Sequence, residues 1–89
     1  MMMTVRWKDT AVDELTAIWT AADSAARRII TAAVDRIDRD LKVDPIGNSE
    51  SRGGGVRIYF APPMGATFHI ESDGQTVSVL HVWQFGRPR

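Results

Sequence analysis

The sequence predicts an α+β domain in which two helices pack on one face of a small, mostly antiparallel four-stranded sheet. Three observations predict it. A short alternating segment opens the chain, two amphipathic stretches at helical spacing follow, and three alternating segments separated by turn residues close it. The order is β-α-α-β-β-β in 89 residues, a length that admits one domain spanning 1–89.

In the first segment Val5 and Trp7 alternate with Thr4, Arg6 and Lys8, the period of a half-buried strand ending near Lys8. Asp9 or Thr10 is the expected cap of the first helix, because either side chain can accept from the free amides of a first turn. Val12, Leu15, Ile18, Trp19 and Ala22 then recur every three to four residues as one apolar stripe. Asp23-Ser24 supplies a second cap, and Ala26, Ile29, Ile30, Ala33, Val34, Ile37 and Leu41 mark a second helix from near Ser24 to near Lys42. Its other face alternates Arg and Asp, a solvated surface with weak ion pairs such as Asp35 and Arg39.

Asp44-Pro45 stops that helix, and residues 47–55, rich in Gly, Ser and Asn, read as a loop. Gly53-Gly54-Gly55 is not a phosphate cradle, since no Lys-Ser/Thr pair or helix follows it. Val56, Ile58 and Phe60 alternate with Arg57, Tyr59 and Ala61, and are expected to form the buried side of the next strand. Pro62-Pro63 turns the chain. Ala66, Phe68 and Ile70 alternate with Thr67, His69 and Glu71, and Asp73-Gly74 makes a hairpin turn. The last strand, from Thr76 to about Trp83, is apolar on both sides, with Val77, Val79 and Trp83 on one and Leu80 and Val82 on the other, so it belongs in the middle of the sheet. His81 falls in the first of these sets, and its side stays open.

Hydrophobic residues at 44% and charged residues at 25% are those of an ordinary folded domain. No cysteine is present, which suits a reducing cytosol and removes thiolate metal chemistry. No apolar run approaches the roughly 20 residues of a membrane span, and the start lacks a secretion signal, so a cytoplasmic protein is expected. Eleven basic residues balance eleven acidic ones, which argues mildly against a partner bound through phosphates. From Ser51 onward, however, Arg52, Arg57, Arg87 and Arg89 outnumber Glu71 and Asp73.

The run Val5-Arg6-Trp7, the helix with Glu14-Leu15 and Ile18-Trp19, Ile37-Asp38 in the second helix, and the strands Val56-Arg57-Ile58-Tyr59-Phe60 and Val77-Ser78-Val79-Leu80-His81-Val82-Trp83 resemble the RelE/ParE superfamily of toxins. These are the toxin halves of bacterial type II toxin-antitoxin operons, plasmid stabilisation systems among them. The resemblance implies a concave sheet surface left open by the helices. In the RelE branch that surface cleaves messenger RNA on the ribosome, in the ParE branch the toxin inhibits DNA gyrase, and in both a cognate antitoxin wraps and neutralises it.

Strand alternation is expected to send Arg57, Tyr59, His69 and Glu71 together onto the open side. A metal-independent endoribonuclease needs a base for the ribose 2′-hydroxyl, charge stabilisation at the phosphorus, and an acid for the leaving oxygen. His69 or Glu71 suits proton transfer, Arg57 charge stabilisation, Arg52 and Arg87 phosphate contact, and Tyr59 stacking. Departures from the resembled ribonucleases are Thr67 and His69 where many carry arginine, and Val82-Trp83-Gln84 where a His-Arg or His-Tyr pair is common. They favour the alternative of a noncatalytic protein-binding domain or an inactive relative. Neither cofactor nor metal is expected, because His69 and His81 lack a third ligand at fixed spacing.

Overall fold

The computed structural model describes residues 2–85 and runs β1 (Thr4–Trp7), α1 (Asp9–Ala21), α2 (Ser24–Val43), β2 (Glu50–Ser51), β3 (Arg57–Ala61), β4 (Met64–Ile70) and β5 (Thr76–Gln84). The class is the expected α+β, but the sheet has five strands rather than four, in the order β1-β5-β4-β3-β2. The added strand, β2, lies in the stretch read as loop and pairs through Glu50 with Ile58 and through Ser51 with Arg57. Two residues are too few for an alternation to register in a sequence. β1 is parallel to β5, and the other neighbours are antiparallel. β5, apolar on both sides, sits between β1 and β4.

On α2 the positions Ile30, Ala33, Ile37 and Leu41 share one stripe and are at most 2% exposed. Asp23 caps this helix by accepting from the Ala26 amide at 2.8 Å. α1 begins differently from expectation, with Lys8 at the N-cap, no side-chain cap, and Asp9 already helical. The Lys8 amide still donates to Val79 O at 2.9 Å while its carbonyl accepts from Val12 at 3.0 Å, so strand passes into helix with no residue to spare for a cap.

α1 adds Ala11, Leu15 and Ile18 to the core and flanks the part of β5 that runs beyond β1. There the Glu14 carboxylate accepts from the Val82 amide at 3.1 Å, so this edge donor is not left bare. The β4–β5 hairpin closes on Asp73, whose carboxylate accepts from the amides of Gln75 at 2.8 Å and Thr76 at 2.9 Å and from the Thr76 hydroxyl. Those bonds hold its carboxyl below the usual carboxylate range. Gly74 takes φ +69°, which a side chain would strain.

Two alternations differ from the sequence reading. β4 keeps Ala66 and Phe68 on the helix side, and its register sets Tyr59 opposite Ala66 and Ala61 opposite Met64. Tyr59, at 5% exposure, and Ala61 are therefore core residues, while Ile58 and Phe60 face outward. Side-chain size misleads here. The small Ala61 fits the core, and the Tyr59 hydroxyl finds a partner in Asp40 of α2. In β5 the register shifts between Thr67 and Phe68, which pair with His81 and Val79 and leave Leu80 unmatched. The bulge turns the rest of the strand over, so Val82 joins Val77 and Val79 inside and Trp83 leaves them for the open side.

No helix among the described residues is long and apolar enough to cross a membrane.

Candidate functional site

α2 covers one face of the sheet, and the pairings assign residues to the other. Arg6 of β1 neighbours Ser78 of β5, which neighbours His69 of β4. Further along, Thr67 lies between Ile58 and His81, and Gly65 between Phe60 and Trp83.

His69 and Glu71 stand two residues apart on this face and meet. Nε2 of His69 lies 3.0 and 3.1 Å from the two Glu71 carboxylate oxygens, and the buried Ser78 hydroxyl donates to Glu71 Oε2 at 3.1 Å. Glu71 is thus fixed by two neighbours and in turn fixes the imidazole. With Nε2–H donating, Nδ1 is left without a partner among the described residues, a carboxylate-oriented histidine able to accept or give a proton. His81 does not join it. The bulge separates them, and His81 Nδ1 lies 3.3 Å from Glu14 of α1. Among the described residues no three side chains of metal-ligating type converge.

At the other end of the face lies an aromatic cluster. Phe60 meets Trp83 and Phe85 edge-on, at centroid distances of 6.4 and 5.4 Å. Gly65 makes room for it, since a Cβ there would stand 2.6 Å from the indole. Phe60 and Phe85 remain 45% and 36% exposed.

Arg57 and Tyr59, expected on the open side, lie on the helix side with the rest of the inverted β3. Arg57 donates through Nε to the Ser49 hydroxyl at 2.7 Å and through its terminal nitrogen to the carbonyls of Ser49 at 3.1 Å and Ile46 at 3.3 Å, tying the turn after α2 to the sheet. Tyr59 is pushed up to about 12 by burial and by its bond to Asp40. Arg52 is exposed at the β2 edge, 3.9 Å from Glu50. Arg87 lies outside the described residues. The structure therefore brings together His69 and Glu71 and separates them from Arg57 and Tyr59.

Residues the sequence reading passed over are Arg6, Ser78, Phe60, Trp83 and Phe85. The alternation of β1 already turns Arg6 away from Val5 and Trp7. Its parallel neighbour is a long-range pairing that no local pattern carries.

The fold is similar to that of the toxin-antitoxin complex RelBE2 from Mycobacterium tuberculosis, with a TM-score of 0.75 at 23% identity, over 94% of this chain and 99% of that one. For the chromosomal ParDE toxin-antitoxin system of P. aeruginosa the TM-score is 0.76 at 22% identity, over 96% and 98% of the two chains. The isolated RelE toxin of E. coli gives 0.63 at 15% identity, over 97% and 87%. No protein-family model and no curated protein matches the chain. At such identities the likeness is one of fold, and that fold is the one found in RelE/ParE structures.

Proposed function

We propose that this chain, built on the fold of the RelE/ParE structures, is the toxin half of a type II toxin-antitoxin pair, acting on a macromolecular target through the open face of its sheet and held inactive by a cognate antitoxin. The observation that carries the reading is the match in fold over nearly the full length of both chains to structures from RelBE2 and ParDE systems. Fold alone leaves the target open, because one architecture hosts several activities.

For ribosome-bound messenger RNA as target, the chain is a metal-independent endoribonuclease. The 2′-oxygen attacks phosphorus as its proton passes to a base, and the P–O5′ bond breaks as an acid protonates the leaving oxygen. His69, oriented by Glu71, supplies a proton-transfer group for one of these steps. A second reading, noncatalytic inhibition of a protein such as DNA gyrase, is favoured by the placement of Arg57 and Tyr59, the candidate charge and stacking groups, on the helix side.

The test is expression of the chain alone and with its neighbouring open reading frame. Growth arrest by the free chain, relieved by a neighbour that co-purifies with it, is expected. Absence of both arrest and binding overturns the toxin reading. Primer extension on cellular messenger then separates the targets: new 5′ ends mark cleavage, whereas intact messenger with DNA-damage signalling marks gyrase.

A further inference from the structure

The break between α1 and α2 is made by capping groups and not by a residue that forbids helix. No Gly or Pro occurs from Lys8 to Val43, and the junction Thr20-Ala21-Ala22-Asp23-Ser24-Ala25-Ala26 is an alanine-rich run. Yet Ala22 and Asp23 are extended, with ψ of 149° and 178°. An unbroken helix would bond the amides of Asp23, Ser24, Ala25 and Ala26 to the carbonyls of Trp19, Thr20, Ala21 and Ala22. In the bend, substitutes take several of these places. The Asp23 carboxylate accepts from the Ala26 amide at 2.8 Å, and the Ala22 amide donates to Trp19 O at 3.2 Å. The Arg27 guanidinium donates to the carbonyls of Trp19 at 2.9 Å and Thr20 at 3.4 Å, and lies over the Trp19 ring. The junction is thus a two-state element, bent when these caps are made and straight when the backbone bonds itself.

What precedes the break can leave as one piece. β1 is an edge strand paired with β5 alone, and α1 gives the core one fully buried residue, Ala11, with Leu15 and Ile18 partly buried beside it. Bonds from Trp7 to Asp38 and from Glu14 to the Val82 amide add to the attachment. The seat this arm occupies, the edge of β5 and the apolar stripe of α2, fits the same arm of a second copy, which brings the same register and the same contacts. Trp19 and Ile29 flank the junction and are each 40% exposed, so copies joined through straightened junctions have apolar surface to bury there.

We propose that two copies of this chain exchange their β1–α1 arms, residues 4–21, with α1 and α2 of each copy joined into one helix from Asp9 to Val43, about 50 Å long. The exchanged arm meets the partners it meets in the single chain, so the balance is decided at the junction and by concentration. The caps made by Asp23 and Arg27 favour the single chain. Continuous helical bonds and burial of Trp19 and Ile29 favour the pair. The exchange is independent of what the open face of the sheet binds.

The experiment refolds the full-length chain from denaturant at high and at low concentration and separates the products by size. A dimer that forms at high concentration and persists on dilution is expected, because return requires each arm to leave its seat. In a dimer assembled from equal parts of isotope-labelled and unlabelled chain, magnetic resonance contacts between Trp7 and Val79, register partners of β1 and β5, should appear between chains. After equilibration in mild denaturant, Asp23→Ala should raise the dimer constant roughly 25-fold, about fivefold for the cap lost from each chain. Arg27→Ala should act in the same direction. Ser24→Pro keeps the bend, since proline suits the first helical position and the extended Asp23 suits the residue before it, but it denies a straight helix the bond to Thr20 O. It should abolish the dimer and leave the thermal midpoint of the single chain unchanged or higher. Ala22→Gly, which disfavours the straight helix and spares the Asp23 cap, should lower the dimer constant by roughly 25-fold.

A chain that stays single at every concentration, both unaltered and as Asp23→Ala, overturns the exchange. A dimer whose Trp7–Val79 contacts stay within one chain, or one that Ala22→Gly and Ser24→Pro form as readily as the unaltered chain, overturns it as well.

Discussion

Tyr59 shows how one side chain can be misassigned by pattern and recovered by chemistry. An amphipathic ring reads as polar in an alternation, yet its body fills core space while its hydroxyl bonds Asp40. As the sole tyrosine of the chain it can be watched directly. Absorbance of the phenolate should rise with a midpoint of about 12 rather than the usual 10.0. A raised folded value means that the folded state holds the proton longer. Its stabilising contribution is complete below pH 10.0 and is lost as pH rises through about 12, so Tyr59→Phe should flatten the fall in unfolding free energy across that window. Gly65 acts through what it lacks. Gly65→Ala puts a methyl group 2.6 Å from the Trp83 ring, and overpacking of that kind costs about 1–3 kcal/mol in urea unfolding. Thr67 is the opposite case, since its buried Oγ1 has no partner among the described residues. Thr67→Val should be neutral or stabilising by up to about 1 kcal/mol by the same measurement.

At the scale of elements, what was legible depended on length and repetition. α2 could be read because its apolar stripe recurs through Ile30, Ile37 and Leu41, and because Asp23 is a local cap that needs no tertiary information. Leu41→Ala should accordingly cost about 2–5 kcal/mol in chemical unfolding, for lost burial plus the cavity left behind. β4 could be read for the same reason. β3 could not, because both of its sides carry apolar bulk and the choice between Phe60 and Tyr59 is made by Asp40, nineteen positions away in sequence. The bulge opposite Thr67–Phe68 is likewise a matter of register between two strands, and nothing local at Leu80 announces it. The site inherits these limits. His69 and Glu71 are legible because Glu71 carries the alternation of β4 one residue past its end, whereas Arg6, Ser78 and Trp83 reach the same face only through pairing.

For the whole molecule, balanced charge and a split architecture go together. Formal neutrality conceals a sheet on which Arg6 and His69 share the open face while the Glu71 carboxylate is taken up by His69 and Ser78. On the proposed toxin reading, a partner from the neighbouring open reading frame that binds only the folded chain should raise its thermal midpoint, by an amount that grows with the logarithm of partner concentration, in a calorimetric scan. The contact between Glu14 and the Val82 amide bears on how the chain behaves alone. β5 runs past Trp7, where β1 ends, and a bare strand of that length would invite pairing with another copy. One carboxylate from a neighbouring helix fills the hydrogen-bonding position that another chain would otherwise take. Glu14→Ala should therefore scatter light in a concentration-dependent way on standing, while Glu14→Gln, which still accepts a bond, stays clear. The colloidal behaviour of the free chain is set by an acceptor placed where a template for growth would start.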